Sequence, residues 1–361
     1  MRLTLKQVLA LCVIPAYIAL SLILFVLWVN PSLTGGTNDH IAADSHTYMS
    51  FADSLREGRN DPFVIASMAS FPNTLWGPVL LGMALRSTVA VVAFNYVLLF
   101  FATWLLHKAI HLDVALFLLL IFANVTTFIS LISLNKEFID FFSLSLFLYY
   151  LGRRKRLALF AALVIAFISR YETAVVMLVY LALRSRWNPL REHRKSTLVV
   201  LIFLLSVFLS AFLQGSMALR MEEATSTASS GGLLLLLDTL QIHYLFFLAV
   251  IPKILDNLFS ELISVSHWPA YTLADPANSF FLFGNNLANL SILLFLFMKR
   301  RLTMRSDLVY YACLSSIFMS LALIIQPRYF YGAYILLCAE AARREVELRR
   351  PVAQQDIYAT A

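Results

Sequence analysis

Residues 135–172 read NKEFIDFFSLSLFLYYLGRRKRLALFAALVIAFISRYE. A basic run, Arg153-Arg154-Lys155-Arg156, splits two apolar stretches. Charges reappear only toward their far ends, as Lys136, Glu137 and Asp140 around the start of the first stretch and Arg170 and Glu172 after the second. Apolar stretches punctuated by basic clusters read as membrane helices, with the clusters on the cytoplasmic face. Residues 135–172 are then a helical hairpin whose stray charges meet at the opposite face. Charges near bilayer depth are costly and ordinarily line a functional cavity.

The same punctuation runs through the chain. Twenty of its 28 basic residues fall in six clusters: Arg2/Lys6, Lys108, Arg153 to Arg156, Arg184 to Lys195, Lys299 to Arg305, and Arg343 to Arg350. Composition agrees, with 60% hydrophobic and 14% charged residues, which argues against a soluble globular protein. The net charge of +7 sits mostly in these clusters and points to topology and anionic headgroups. No nucleic-acid-binding motif occurs. The first apolar run, Val8 to Val29, exceeds a signal-peptide core and lacks a small-residue cleavage site, so it is expected to stay attached. Cys12, Cys313 and Cys338 fall inside apolar runs, which disfavours disulfides and metal binding.

The expected fold is all-α and integral to the membrane, with both termini cytoplasmic. Ten spans are expected, at 8–29, 88–106, 112–134, 138–151, 157–169, 172–183, 197–218, 280–298, 308–325 and 329–342. They form a single polytopic domain over 1–350, followed by a cytoplasmic tail at 351–361. External loops are expected at 30–70 and 219–279. Counting 63–85 as another span would move Lys108 and the basic run 153–156 to the wrong side. That segment also holds Pro72, Asn73, Gly77 and Pro78, so it reads as re-entrant. Parity gives 233–251 the same reading. The spans 157–169 and 172–183 are shorter than the roughly 20 residues of a full crossing, so Arg170 to Glu172 lie below the surface in a polar funnel. No internal repeat of the kind common in secondary transporters is visible.

Asp44 to Gly58 places Tyr48, Phe51, Ala52 and Leu55 at helical spacing, which predicts a short amphipathic helix at the membrane surface. Asp44 stands at its start, where two roles are open to it: helix cap or reactive carboxylate. Lys136 and Asp140 lie four apart on one helix and Glu172 two residues from Arg170, so local ion pairs are an alternative to function there. Arg328 has no acidic neighbour in sequence. Tyr329, Tyr331 and Tyr334 beside it suit an interfacial aromatic belt or stacking on a sugar face. His243 and His267 are too far apart for recognisable metal-ligand spacing.

Three stretches resemble a known family. The pattern Asp44-x-x-x-Tyr48-x-x-x-Ala52-x-x-Leu55-x-x-Gly58, then Asn135-Lys136-Glu137 opening a span, then Gln326-Pro327-Arg328-Tyr329 before the last span, is similar to polytopic GT-C glycosyltransferases. The resemblance implies transfer of a sugar from a polyprenyl-phosphate or diphosphate donor to a glycan or lipid-linked acceptor, on the external face and with inversion. Ser45 stands where many of these enzymes have a second acidic residue, which counts against a paired-carboxylate metal site; no cofactor is required, and a divalent metal stays open without support.

Cations at headgroup depth bind an anionic leaving group, and a carboxylate takes the proton of the attacking hydroxyl. Lys136, Arg170 and Arg328 are the expected phosphate-binding residues and Asp44 the expected base. Glu137, Glu172, Tyr48, Tyr329 and Arg220 are expected to orient these groups or to bind acceptor. Arg220, with Gly231 eleven residues on, also resembles a motif of Wzy-type polysaccharide polymerases. Joining of lipid-linked repeat units is therefore one alternative, and flipping or transport of such lipids is another.

Overall fold

The computed structural model describes residues 5–29, 43–58, 76–208, 236–237, 239–241, 243–263, 276–321 and 327–344. Among them the protein is all-helical, without a β-strand and with one isolated bridge, Leu112 to Arg343. Helix α1 covers Leu5–Leu24 and passes into a π-helical turn at Phe25–Val29. Next come α2 Ala43–Arg56, α3 Trp76–Leu85, α4 Thr88–Ile110, α5 Val114–Phe122, α6 Val125–Ile132 and α7 Lys136–Arg153. After α8 Arg156–Ser169 and α9 Tyr171–Arg184, α10 runs over residues 194–208. The described chain ends with α11 Phe246–Ile263, α12 Pro276–Met298, α13 Asp307–Met319, a 3-10 turn at Pro327–Phe330, and α14 Tyr331–Ala342.

The hairpin of residues 135–172 forms as expected. Helix α7 ends where Arg154 turns left-handed at φ 57° and its N–H caps the Tyr150 carbonyl at 2.7 Å. Helix α8 stops at Arg170, whose extended backbone (φ −157°, ψ 92°) also starts α9. Packing on α4 is close because position 152 is glycine: a Cβ there would lie 2.8 Å from the Ala109 carbonyl oxygen.

Residues 112–134, expected as one span, are not one continuous helix. They form α5 and α6, bent by 89° to one another. The break has a polar cause. Asn124 Oδ1 accepts the Thr126 N–H at 2.8 Å, and the Thr127 hydroxyl donates to the Ile121 carbonyl at 2.6 Å. Side chains thus take over the backbone groups that a continuous helix would pair with each other. Segment 233–251 is described in part. From Phe246 it continues as an 18-residue helix to Ile263 that packs on α12. The other expected re-entrant piece, 63–85, is described only from Trp76, and residues 59–75 lie outside the described part.

A chain of contacts gathers the described members of five basic clusters at one end of the bundle. Arg153 Nε donates to the Lys108 carbonyl, the bridge joins Leu112 to Arg343, and Arg301 donates to the carbonyls of Glu340, Ala341 and Arg343. Arg184 and Arg194 both pair with Asp307, at 2.8 and 2.7 Å. Helices α7, α9 and α14 start at the opposite end, where the stray charges lie. A large apolar core runs between, built around Phe117, Phe138, Phe147, Tyr180 and Tyr311. A smaller one sits under α2, around Tyr48, Ala52, Val79, Val91 and Leu134.

By length and apolarity, α4 passes as a membrane-spanning helix among the described residues, and α5 with α6 passes if the bent pair is one span. Several other apolar helices are shorter, with 14 residues in α8 and 13 in α13.

Candidate functional site

Four elements converge at the end opposite the basic clusters. The amide of Asn95 on α4 donates to the carbonyls of Ser130, Leu131 and Ser133, which holds the segment before α7 in place. The Ser45 hydroxyl, in the first turn of α2, accepts the Leu134 N–H at 2.9 Å. The first turns of α2 and α7 are thereby joined, and the Lys136 ammonium lies 6.0 Å from the centre of the buried Tyr48 ring. Gly77 and Gly82 allow α3 to pack closely. Cβ atoms there would sit 3.1 Å from Ser169 and Leu134 respectively.

Arg170, at the α8–α9 break, is the centre of the site. It is 5% exposed, and its Nη2 donates to Glu137 Oε1 of α7 at 3.3 Å in a buried ion pair. Its guanidinium lies 5.5 Å from the centre of the Tyr329 ring, and the Arg328 guanidinium lies 6.0 Å from the same ring. Burial works against the charge on Arg170, but Glu137, with Asp140 and Glu172, more than offsets it. The net effect raises the Arg170 pKa above its ordinary value, and the guanidinium stays charged.

The cluster has acceptor oxygens to spare. Asn135 Oδ1, Glu137 Oε2, Asp140 Oδ1 and Glu172 Oε2 are buried without a hydrogen-bond partner. Beside them Asp140, Thr173, Tyr311, Ser315, Tyr329 and Gly332 line part of a cavity of about 10 Å³, roughly the space one water needs. Among the described residues no group of three His, Cys, Asp or Glu side chains is arranged to hold a metal ion.

Most of the expected site residues are brought together here: Lys136, Glu137, Arg170, Glu172 and Tyr48, with Tyr329 and Arg328 joined through the shared aromatic ring. Asp44 is in the first turn of α2, and its side chain lies outside the described residues, as does all of Arg220. The local ion pairs take a different form. The hydrogen-bonded acid partner of Arg170 is Glu137, 33 positions away, and Asp140 faces Arg170 and Thr173. Asp140, Thr173 and the cavity were missed as a site. Their signal was Glu137 with Asp140, three apart on one helix face, and Thr173 three residues after Arg170 in the first turn of α9. Ser45 ties α2 to α7.

The comparisons with known proteins name no relative. No protein-family model matches the chain, and no curated protein or solved structure matches it.

Proposed function

We propose that this chain is a polytopic, GT-C-like membrane glycosyltransferase with about ten spans, cytoplasmic termini and a site on the external face. Its donor is a polyprenyl-phosphate or diphosphate sugar, and its acceptor a glycan or lipid-linked glycan. One observation carries the reading. The cations Lys136, Arg170 and Arg328 gather with two aromatic rings at the end of the bundle remote from the basic clusters. The bundle's outer surface supports a lipid setting. On α8, Leu157, Phe160, Val164 and Phe167 form an exposed apolar stripe, and α10 exposes Phe203, Leu204, Val207 and Phe208. Such surfaces are rare on soluble monomers.

In this reading the donor phosphate is held by Arg328 and Arg170. Glu137 bonds one of the five N–H donors of the Arg170 guanidinium. Lys136, beside Tyr48, adds a third positive charge. The acceptor oxygen attacks the anomeric carbon, the bond from that carbon to the phosphate oxygen breaks, and the phosphate leaves as an anion beside the cations. Asp44 takes the acceptor proton. The step is a single displacement with inversion.

Purified protein in lipid nanodiscs, given a short isoprenyl-phosphate glucose and a glycan acceptor, tests the reading. Asparagine at position 44 retains a side-chain oxygen for capping, so Asp44→Asn is expected to fold while turnover falls by about two to four orders of magnitude. Turnover near that of the native protein would remove Asp44 as the base. Tight donor binding without turnover in the native protein would favour transport of the lipid.

A further inference from the structure

We propose that the cavity between α7, α9, α13 and α14 is the subsite for one hydroxyl of the transferred sugar, held by Asp140 and Thr173. The inference rests on the glycosyltransferase reading and adds to it the part of the substrate that the cations do not touch.

The argument starts from an unmet acceptor. Asp140 is 7% exposed, and its Oδ1 has no hydrogen-bond partner. Thr173 hydrogen-bonds the same carboxyl group, which fixes its orientation. A buried carboxylate oxygen left without a donor is costly, so the position calls for a ligand O–H or N–H. The cavity lined by Asp140 supplies room for it, and about 10 Å³ suits one hydroxyl or water. Tyr311, Ser315 and Tyr329 add polar groups to the wall.

Position makes the hydroxyl a sugar hydroxyl. Tyr329 lines the cavity and also lies against the guanidinium groups of Arg170 and Arg328. A phosphate held by those cations carries its sugar directly on the next oxygen, so the ring hydroxyls reach the Tyr329 side of the cluster. The remaining unpaired acceptors are also negative or neutral, on Glu137, Glu172 and Asn135. They accept from hydroxyls, and the two carboxylates repel a third, so the sugar class is a neutral sugar and not a uronic acid.

The test measures affinity, not turnover. Nanodisc-embedded protein is titrated with isoprenyl phosphate, with isoprenyl-phosphate glucose, with its monodeoxy forms and with the glucuronate form. In the native protein, glucose is expected to bind more tightly than glucuronate, and one monodeoxy form is expected to lose about tenfold in affinity, the worth of a hydrogen bond to a charged group. Asp140→Asn is expected to weaken glucose relative to isoprenyl phosphate and to abolish the difference between glucose and that deoxy form. A second variant avoids the charge cluster. Thr173→Val keeps the shape of the side chain and removes the hydroxyl that orients Asp140, so it is expected to fold and to give the same selective loss. Loss of affinity for isoprenyl phosphate and its glucose form alike in both variants would make the cavity structural and overturn the subsite. Retention of the deoxy penalty in both would also overturn it. Failure of the native protein to bind isoprenyl phosphate at all would instead remove the glycosyltransferase reading, and the subsite with it.

Discussion

Arg170 is the common counter-ion of Glu137, Asp140 and Glu172, and it sits on a backbone break that no hydrophobic pattern requires. Removing one partner of a buried ionic group leaves uncompensated charge, at a cost of about 3–5 kcal/mol. Arg170→Gln is therefore expected to lower stability by about that amount, read as the midpoint of unfolding in mild denaturing detergent. Glu137→Gln is expected to cost less, because Asp140 and Glu172 still face the guanidinium. Equal losses would mean that the Glu137 pair alone carries the cluster. Arg328 makes a different demand. A guanidinium grips two phosphate oxygens where an ammonium acts as a point charge, so Arg328→Lys is expected to weaken isoprenyl-phosphate binding with stability unchanged; equal affinity would assign Arg328 to packing. The members of this site were legible because a charge in an apolar run is conspicuous. Their partners were not, because the pairing of Arg170 with Glu137 depends on how α7 lies against α8. Asp140 looked like the i+4 companion of Lys136, and only the packed structure turns it toward Thr173.

Among the elements, the helix ends that sequence marks with charge or basic runs emerge close to expectation, from Lys136–Arg153 to Tyr171–Arg184. The break in 112–134 was hidden because its cause is not a proline or glycine. Asn124 and Thr127 are ordinary polar residues in an apolar run, and they break the helix because both side chains bond backbone groups across it. Likewise α11 runs to Ile263 past the apolar stretch that suggested it, with Lys253 fully buried and its ammonium donating to Gln241 at 2.5 Å. Apolar length alone does not reveal such internal satisfaction. Close approach between elements depends on single glycines. Gly152→Ala would set a methyl 2.8 Å from the Ala109 carbonyl, and backbone cannot yield as a flexible side chain does. A loss of about 1–3 kcal/mol is expected, typical of overpacking, measured by the same unfolding midpoint. An unchanged midpoint would show that α4 and α7 separate freely at this point.

For the whole molecule, the arrangement of charge is inside out relative to a soluble bundle. Ion pairs and amides are buried at one end, basic clusters close the other, and apolar side chains such as Phe160 and Phe203 face outward between them. The lipid and soluble readings of this surface give opposite expectations at Val164, in the middle of α8 and 43% exposed. In a bilayer, Val164→Asp puts a carboxylate at hydrocarbon depth, at about 2.5–3.5 kcal/mol on insertion scales. The variant is then expected to lose most of its membrane-inserted fraction, assayed by alkaline extraction of membranes. On a solvated face the same substitution would change stability by no more than about 0.5 kcal/mol and would improve solubility. Trp187→Asp is the matched control, since Trp187 is 83% exposed in the segment joining α9 to α10 among the basic residues. A carboxylate there stays in water under either reading, so extraction is expected to match the native chain. Unchanged extraction of Val164→Asp would mean that the exposed stripe of α8 does not face lipid, and the external placement of the Arg170 cluster would fall with it.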